Sequence, residues 1–399
     1  MNYVSKSIFN FKGFRVNKIL NQDKTISVYL IPRRKTALCP NCQKRSKKLY
    51  ETGNLRQVRH SRFEGKQVVV LIPKRRFFCQ QCALPFSENI DWISFKARTT
   101  FNFNQETILG LKNSSFTAIQ EMYDTNYQFL SKNLKSLDLS VEWPKGVLRL
   151  GFDEHSYAKR HMMVTVTELK TKTLLAILPY YDKESIKNYL KQRSQNELKR
   201  VEELCFDMKF KQRKTVESFF SKATTVIDKF HVLSYLAKLI DADRKIDAPK
   251  IKNHKNIRQI MRKPKNALTI EENTIIDSIF TQYPELREKW NIYQKLNTFY
   301  RLNTKKEARE LFFKIREDLS KLNQFSYTGD FLGTMNRFEE EILNYFDNKT
   351  TNAFTEGVHT KIKMIKRTSF GFRNIEVYIK KVMLAFVPLI VILEQLLPH

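Results

Sequence analysis

The chain has 399 residues, 42% of them hydrophobic and 30 of them Phe, enough to bury two or three separate cores. Lys and Arg number 71 against 41 Asp and Glu, a net charge of +30 spread along the whole chain. That balance disfavours a soluble protein whose basic charge is unrelated to its partner. It favours a polyanion partner, because neutralising phosphates releases counterions and drives association; an anionic membrane surface is the competing partner.

No signal-peptide pattern opens the chain, since Met1 to Phe11 lacks a continuous apolar stretch. The longest apolar run, Val382 to Leu393, contains Pro388 and falls short of the roughly 20 residues a spanning helix needs. It reads as a buried C-terminal helix and its continuation. The cysteines are 39, 42, 79, 82 and 205. Four of them form two CxxC pairs, which suits a reducing cytosol and a metal better than a disulfide scaffold.

Residues 1 to about 38 alternate apolar and polar, as in Thr25-Ile26-Ser27-Val28-Tyr29-Leu30-Ile31, the pattern of strands. Cys39-Pro40-Asn41-Cys42 and Cys79-Gln80-Gln81-Cys82 follow, with a hairpin expected between them around Arg56 to Ile72. Each CxxC is a knuckle aiming two thiolates at one point, and two knuckles make a closed tetrahedral zinc site. Arg56, Arg59, Arg75 and Arg76, with Arg62 and Lys74, give this module a basic face expected to meet DNA. His60 is expected to be solvated or DNA-facing rather than a fifth ligand.

Ser115 to Leu137 predicts two short amphipathic helices around Asp124-Thr125-Asn126. This is the pattern of a helix-turn-helix, although an ordinary helical hairpin has the same signature.

From Trp143 the pattern becomes alternating β and α. Val147 to Leu150 is a short apolar strand, and Gly151-Phe152-Asp153-Glu154 places an acidic pair where it should leave the core. Strands at 161–169 and 173–179 follow, then a helix at 184–190. A strand over Val201 to Phe206 ends in Asp207. A helix at 211–222 leads to a strand over Ala223 to Ile227 that ends in Asp228 and continues into Lys229-Phe230-His231. The order β-β-β-α-β-α-β is that of an RNase H-like α/β fold, in which the ends of the first and fourth strands lie side by side. Residues 232–350 are charged and helical, an all-α insertion interrupted by Pro249, Pro264 and Pro284. In the next segment Val358, Ile362 and Ile365 form the packed stripe of a helix that carries Glu356 and His359 on another face.

The expected domains are therefore a zinc-binding module at 1–96, a helix-turn-helix region at 97–142, the core's first part at 143–231, the insertion at 232–350, and the core's C-terminal part at 351–399. Strand-end carboxylates on a basic protein point to metal-dependent phosphoryl transfer. Asp153, Asp207 and Glu356 are the expected ligands of two divalent ions about 4 Å apart, for which magnesium or manganese suits an all-oxygen site. Asp228 is the alternative second aspartate.

At these residues the chain resembles bacterial insertion-sequence DDE transposases of the ISL-three family. The resemblance rests on Gly151-Phe152-Asp153-Glu154, Phe206-Asp207-Met208 and Val226-Ile227-Asp228-Lys229-Phe230-His231-Val232. It is most specific in Thr355-Glu356-Gly357, in Lys361 through Arg367, and in Phe370-Gly371-Phe372-Arg373-Asn374. The two CxxC pairs fit the family's N-terminal region. The resemblance implies an enzyme that binds the ends of an insertion sequence, cleaves them and joins them to target DNA, using an Asp-Asp-Glu triad and magnesium. It also implies structural zinc, a homodimer on terminal inverted repeats, and a bacterial cytoplasmic, nucleoid-associated setting without a membrane. The family pattern leaves Asp207 and Asp228 both open as the second acid, with His231 in a supporting role. Lys361, Lys363, Lys366, Arg367 and Arg373 are expected at the DNA backbone. A regulator that keeps the fold and binds DNA without chemistry is the alternative class.

Overall fold

The computed structural model describes residues 11–94, 96–248, 251, 256–322 and 325–396. The strand pattern expected over residues 1–10 and the break expected at Pro249 lie outside them. The chain divides into two compact units, one formed by 1–139 with 363–399 and the other by 140–362.

In the first unit, β1 (Phe14–Asn21), β2 (Thr25–Pro32), β5 (Leu49–Phe63), β6 (Lys66–Cys79) and β7 (Leu84–Ser87) form one sheet. Its order is β1-β2-β6-β5, with β7 also on β6. The alternation seen in the sequence puts Ile26, Val28 and Leu30 of β2 inward against Val58, Val68, Val70 and Ile72. The expected hairpin is longer than its sequence signal, because β5 and β6 run to the second knuckle and turn at Glu64-Gly65, both with positive φ. A two-stranded ribbon, β3 (Ala37–Leu38) with β4 (Arg45–Ser46), frames the first knuckle.

Helices Phe101–Asn113, Phe116–Tyr123 and Tyr127–Lys135 follow, capped by the side chains of Thr100, Ser115 and Asn126. Asp124 turns the chain between the last two in the left-handed conformation, at φ 45°. Asp tolerates that region better than most residues. C-terminal helices Ile375–Phe386 and Leu389–Leu396 belong to this unit. Lys112 donates to the carbonyls of Leu384 (2.9 Å) and Val387 (2.5 Å), satisfying orphan acceptors at the end of the first of these helices. The sequence division had grouped 351–399 with the catalytic core. The apolar face of 375–386 instead packs beside the N-terminal helices, with Val377, Tyr378 and Val382 buried.

The second unit is built on a five-stranded sheet of β8 (Leu148–Ala158), β9 (His161–Glu168), β10 (Thr173–Leu178), β11 (Val201–Phe206) and β12 (Thr224–Ile227). The order is β10-β9-β8-β11-β12, antiparallel through the meander and parallel from β8 to β12. This is a mixed α/β core resembling an RNase H-like fold. Two local expectations need correction. Asp153 does not end its strand, since β8 continues to Ala158 to pair with β9. The helix expected over 211–222 is reduced to Arg213–Glu217. Helices from Lys229–Asp247 to Tyr345–Asn348 make up the insertion, and its buried residues are continuous with those of the sheet. Among the described residues no helix is long and apolar enough to cross a membrane.

Candidate active site

Four acids meet at one end of this sheet. Asp153 sits on β8, the central strand. Asp207 follows β11, where its Oδ1 accepts from Lys209 N (3.1 Å). Asp228 follows β12 and starts the helix Lys229–Asp247. Glu356 lies in the first turn of the helix Ala353–Thr368, where the helix dipole favours a negative charge.

His231 is the hub. Its Nδ1 is 3.0 Å from Asp207 Oδ2, and its Nε2 is 3.5 Å from Glu356 Oε1 and 4.0 Å from Asp228 Oδ2. Burial pulls the imidazole pKa down, but the hydrogen bond and charge of Asp207, with the charges of Asp228 and Asp153, raise it to about 9. For Asp207, burial pushes upward and His231 with Lys209 more than offsets it, so its pKa is lowered. Burial pushes Asp153 up to about 7 against the pull of His231, and burial also raises Asp228. Several carboxylates thus share one imidazolium. Buried Asp228 Oδ2 and His231 Nε2 face each other without a hydrogen bond.

The acids differ in their access to solvent. Asp153 and Asp228 are buried, at 7% and 1% exposure, and the opening lies at Asp207 and Glu356.

The helix bearing Glu356 is held from the sheet side, in part by Asn352, Thr165 and Thr167, for which the sequence carries no local signal. Asn352 N donates to Asp228 Oδ1 (3.1 Å), and its side-chain oxygen accepts from Thr355 (2.5 Å). Thr355 also bonds Thr167 of β9 (2.7 Å). One turn on, His359 Nδ1 lies 3.5 Å from Asp153 Oδ2, and its Nε2 bonds Thr165 (2.9 Å), which in turn bonds His155 (2.8 Å). The helix approaches β8 so closely that a Cβ on Gly151 would meet Asn352 Oδ1 at 2.3 Å and Thr167 Oγ1 at 2.8 Å. Gly151→Ala should therefore destabilise this unit by about 1–3 kcal/mol and lower activity with it. A thermal-melting midpoint equal to wild type would contradict that packing.

A second expectation follows from His231. Its folded pKa of about 9 lies above the ordinary value of 6.5. The stabilisation it brings to metal-free protein is fully present below about pH 6.5 and is lost as pH rises through about 9. In chelator-treated protein the stability gap between wild type and His231→Asn should narrow across that window. A constant gap would show that the imidazolium does not hold the acids together.

The four paired cysteines also converge. Cys39 Sγ lies 3.9 Å from Cys82 Sγ, and Cys42 Sγ lies 3.6 Å from Cys79 Sγ. Thiolates about 2.3 Å from one zinc ion stand about 3.8 Å apart at tetrahedral angles, whereas a disulfide needs about 2.05 Å. Each knuckle closes with a left-handed residue after its second cysteine, Gln43 at φ 57° and Ala83 at φ 54°. The Cys42 backbone N–H draws the Cys39 thiol down to about 7, while hydrogen bonding to Cys42 holds the Cys82 thiol up to about 12. The cluster supports a structural zinc site.

The basic residues divide into two groups. Arg75 forms a two-pronged ion pair with Glu88, and Arg56 donates to the carbonyl of Ala97. Arg59 donates to the carbonyls of Tyr123 and Asp124 (both 2.6 Å) over the Phe103 ring. These three also brace the fold while lining the same groove. Arg76 is more open, 3.4 Å from Glu51. Lys361, Lys363, Arg367 and Arg373 are exposed and Lys366 is half-buried. His60 is not solvated, since its Nδ1 bonds Thr100 (2.9 Å), its ring meets Phe11 edge-on, and burial lowers its pKa to about 4.

Comparison with known proteins agrees with this construction. Residues 150–382, more than half of the chain, match a family described as transposase. Residues 35–82 match the zinc-finger of transposases IS204/IS1001/IS1096/IS1165. The transposase for insertion sequence element IS1001 from Bordetella parapertussis is 25% identical over 403 residues, covering 96% of this chain and 97% of that protein. With its acid cluster on an RNase H-like sheet and its paired cysteine knuckles, the chain belongs to the ISL3 family of bacterial insertion-sequence DDE transposases.

Proposed function

We propose that Asp153, Asp207 and Glu356 hold the divalent ions for DNA cleavage and strand transfer, and that Asp228 and His231 support them. The observation that carries this reading is the excess of carboxylates around one imidazole, with Asp153 driven up to about 7 by burial. Such a cluster calls for further positive charge, and its oxygen-rich donor set suits Mg2+ or Mn2+. When bound, divalent ions activate the attacking water or 3′-hydroxyl and stabilise the leaving oxygen.

The protein's own residues supply the rest. Asp207 is favoured over Asp228 as the second acid because it follows β11, the strand beside β8, and is the more open of the two. Asp228 is engaged in holding the Glu356 helix through Asn352. His231 orients Asp207 by its Nδ1 contact, and His359 faces Asp153.

For DNA, the helices Phe116–Tyr123 and Tyr127–Lys135 are the proposed helix-turn-helix. In the same unit an open groove of about 1510 Å3 is lined by Arg56, Arg59, Arg62, Lys74, Arg75 and Arg76 among others. That groove is a proposed path of the backbone in this unit, and Lys361, Lys363, Lys366, Arg367 and Arg373 are proposed as further phosphate contacts. The enzyme acts as a homodimer on paired inverted repeats, in the bacterial cytoplasm where its DNA lies, with zinc bound at Cys39, Cys42, Cys79 and Cys82.

Purified protein should cleave and join DNA that carries the inverted repeats flanking its gene, only with Mg2+ or Mn2+. Binding without cleavage under all metal conditions would favour the regulator reading instead. Affinity for these ends should fall about 10^3-fold between 50 and 200 mM salt, as expected for at least six phosphate contacts. A fall below ten-fold would remove the basic surface from the account.

A further inference from the structure

The β8–β9 hairpin carries a feature that metal-dependent chemistry does not require. Beyond Asp153 it ends in an aromatic ladder. The Tyr157 ring meets His161 edge-on at 5.3 Å, and Tyr180 stacks on the other side of the hairpin pair, 5.2 Å from His161 at 27°. His161 Nε2 bonds the Pro179 carbonyl (2.7 Å), which fixes the middle ring. Tyr180 is 50% exposed. Lys159 and Arg160 form the turn beside these rings, both exposed, with Arg160 held at φ 69°.

The ladder is tied to the acid site from two directions. Asp153 and His155 are two apart on β8, the spacing of one sheet face, and Tyr157 follows at the bulge between Ser156 and Ala158. The neighbour of Tyr180, Tyr181, accepts from Lys211 N (2.6 Å) and packs on Phe210 at 5.4 Å. That anchors it to the segment just after Asp207. One exposed ring, backed by two half-buried rings and followed by a residue anchored beside Asp207, with two cations at the neighbouring turn, suits a ligand with a flat π-face and a phosphate on each side.

We propose that Tyr180, backed by His161 and Tyr157, is a stacking platform for an unpaired nucleotide of the DNA strand near the cleaved phosphate, with Lys159 and Arg160 on its flanking phosphates. The inference rests on the transposase reading of the site. Tyr157 stands four residues past Asp153, about 13 Å along a strand. At about 3.4 Å per nucleotide that is some four nucleotides of stacked DNA, or fewer where the strand is unstacked. Stacking tolerates any base, because every base has a π-face. The platform therefore contributes affinity for opened DNA rather than sequence preference. It lowers the cost of unpairing beside the scissile bond.

The test compares full-length protein on two probes, a blunt 30-base-pair duplex and the same duplex with a four-thymidine single-stranded tail. Wild type should bind the tailed probe about ten-fold more tightly, the size expected for one stacked base. Tyr180→Phe should keep that preference, and Tyr180→Ala should abolish it while leaving affinity for the blunt duplex unchanged. With 5-iodo-2′-deoxyuridine in the tail, photocrosslinks on wild-type protein should map to Tyr180 or His161. Equal binding of both probes by wild type, an undiminished preference in Tyr180→Ala, or crosslinks only elsewhere would each overturn the proposal. Asp153→Asn separates the two readings, because it should lose cleavage and retain the tail preference. If wild type shows the preference but never cleaves, the chemistry assigned to the acids fails and the platform stands.

Discussion

Asp153→Ala is expected to abolish cleavage and joining, by about 10^3-fold or more, while affinity for the element's ends stays within a few-fold of wild type. The magnitude follows from the several kcal/mol of charge stabilisation a divalent-ion clamp supplies, at about 1.4 kcal/mol per decade of rate. Asp207→Ala and Glu356→Ala should behave alike, since each carboxylate sits at the same cluster around His231. The basic surface is untouched in all three, so binding survives. Asp228→Asn should be milder, about ten-fold, because its amide oxygen can still accept from Asn352 N as the carboxylate does. Cleavage assays with Mg2+ on the four variants check the ranking. If Asp228→Asn were as inactive as Asp153→Ala while Asp207→Ala retained activity, the two aspartates would have to exchange roles.

Zinc removal is the other large effect. Among the described residues, Ala37, Phe77 and Phe86 join Cys39 and Cys79 as the buried residues of the cysteine cluster. So small a core cannot hold two knuckles with left-handed closing residues in place by packing alone. Metal binding to structural zinc sites in small peptides supplies about 10–16 kcal/mol, and here that energy should hold the knuckles and the ribbon between them. Chelation, or Cys79→Ser, should melt this region and weaken end binding at least ten-fold. The sheet of residues 140–362 should keep its own transition. Metal analysis of reduced protein should return one zinc per chain. Protein without zinc that keeps wild-type end binding would contradict the assignment.

Much of this site was legible because it is written in local pattern. The short strands Val201–Phe206 and Ala223–Ile227 are each followed by an acid, Asp153 comes three residues after the run Val147–Leu150, and the β-β-β-α-β-α-β order implies which strands adjoin. The CxxC spacing likewise declares its ligand geometry. What stayed hidden depends on partners far apart in sequence. His231 was visible as a neighbour of Asp228, but its strongest contact is Asp207, across the sheet. Gly151 reads as a strand residue, and only the approach of Asn352 some 200 positions later shows why it has no Cβ. His359 and Thr165 are joined across a similar gap. Arg56, Arg59 and Arg75 look like DNA ligands by charge alone. Charge does not reveal that a nearby carbonyl or Glu88 already engages them. The placement of 375–386 with the N-terminal helices has the same cause, since an amphipathic stripe does not name the surface it will cover.

The most direct test of the central claim is metal-specificity rescue at the two competing aspartates. A cysteine thiolate is a poor ligand for Mg2+ and a better one for Mn2+. Asp207→Cys should be inactive on element ends with Mg2+ and recover cleavage with Mn2+, and Asp228→Cys should show the same activity relative to wild type in either metal. Rescue by Mn2+ at Asp228→Cys, with none at Asp207→Cys, would contradict the assignment of Asp207 as the metal-binding partner of Asp153 and Glu356.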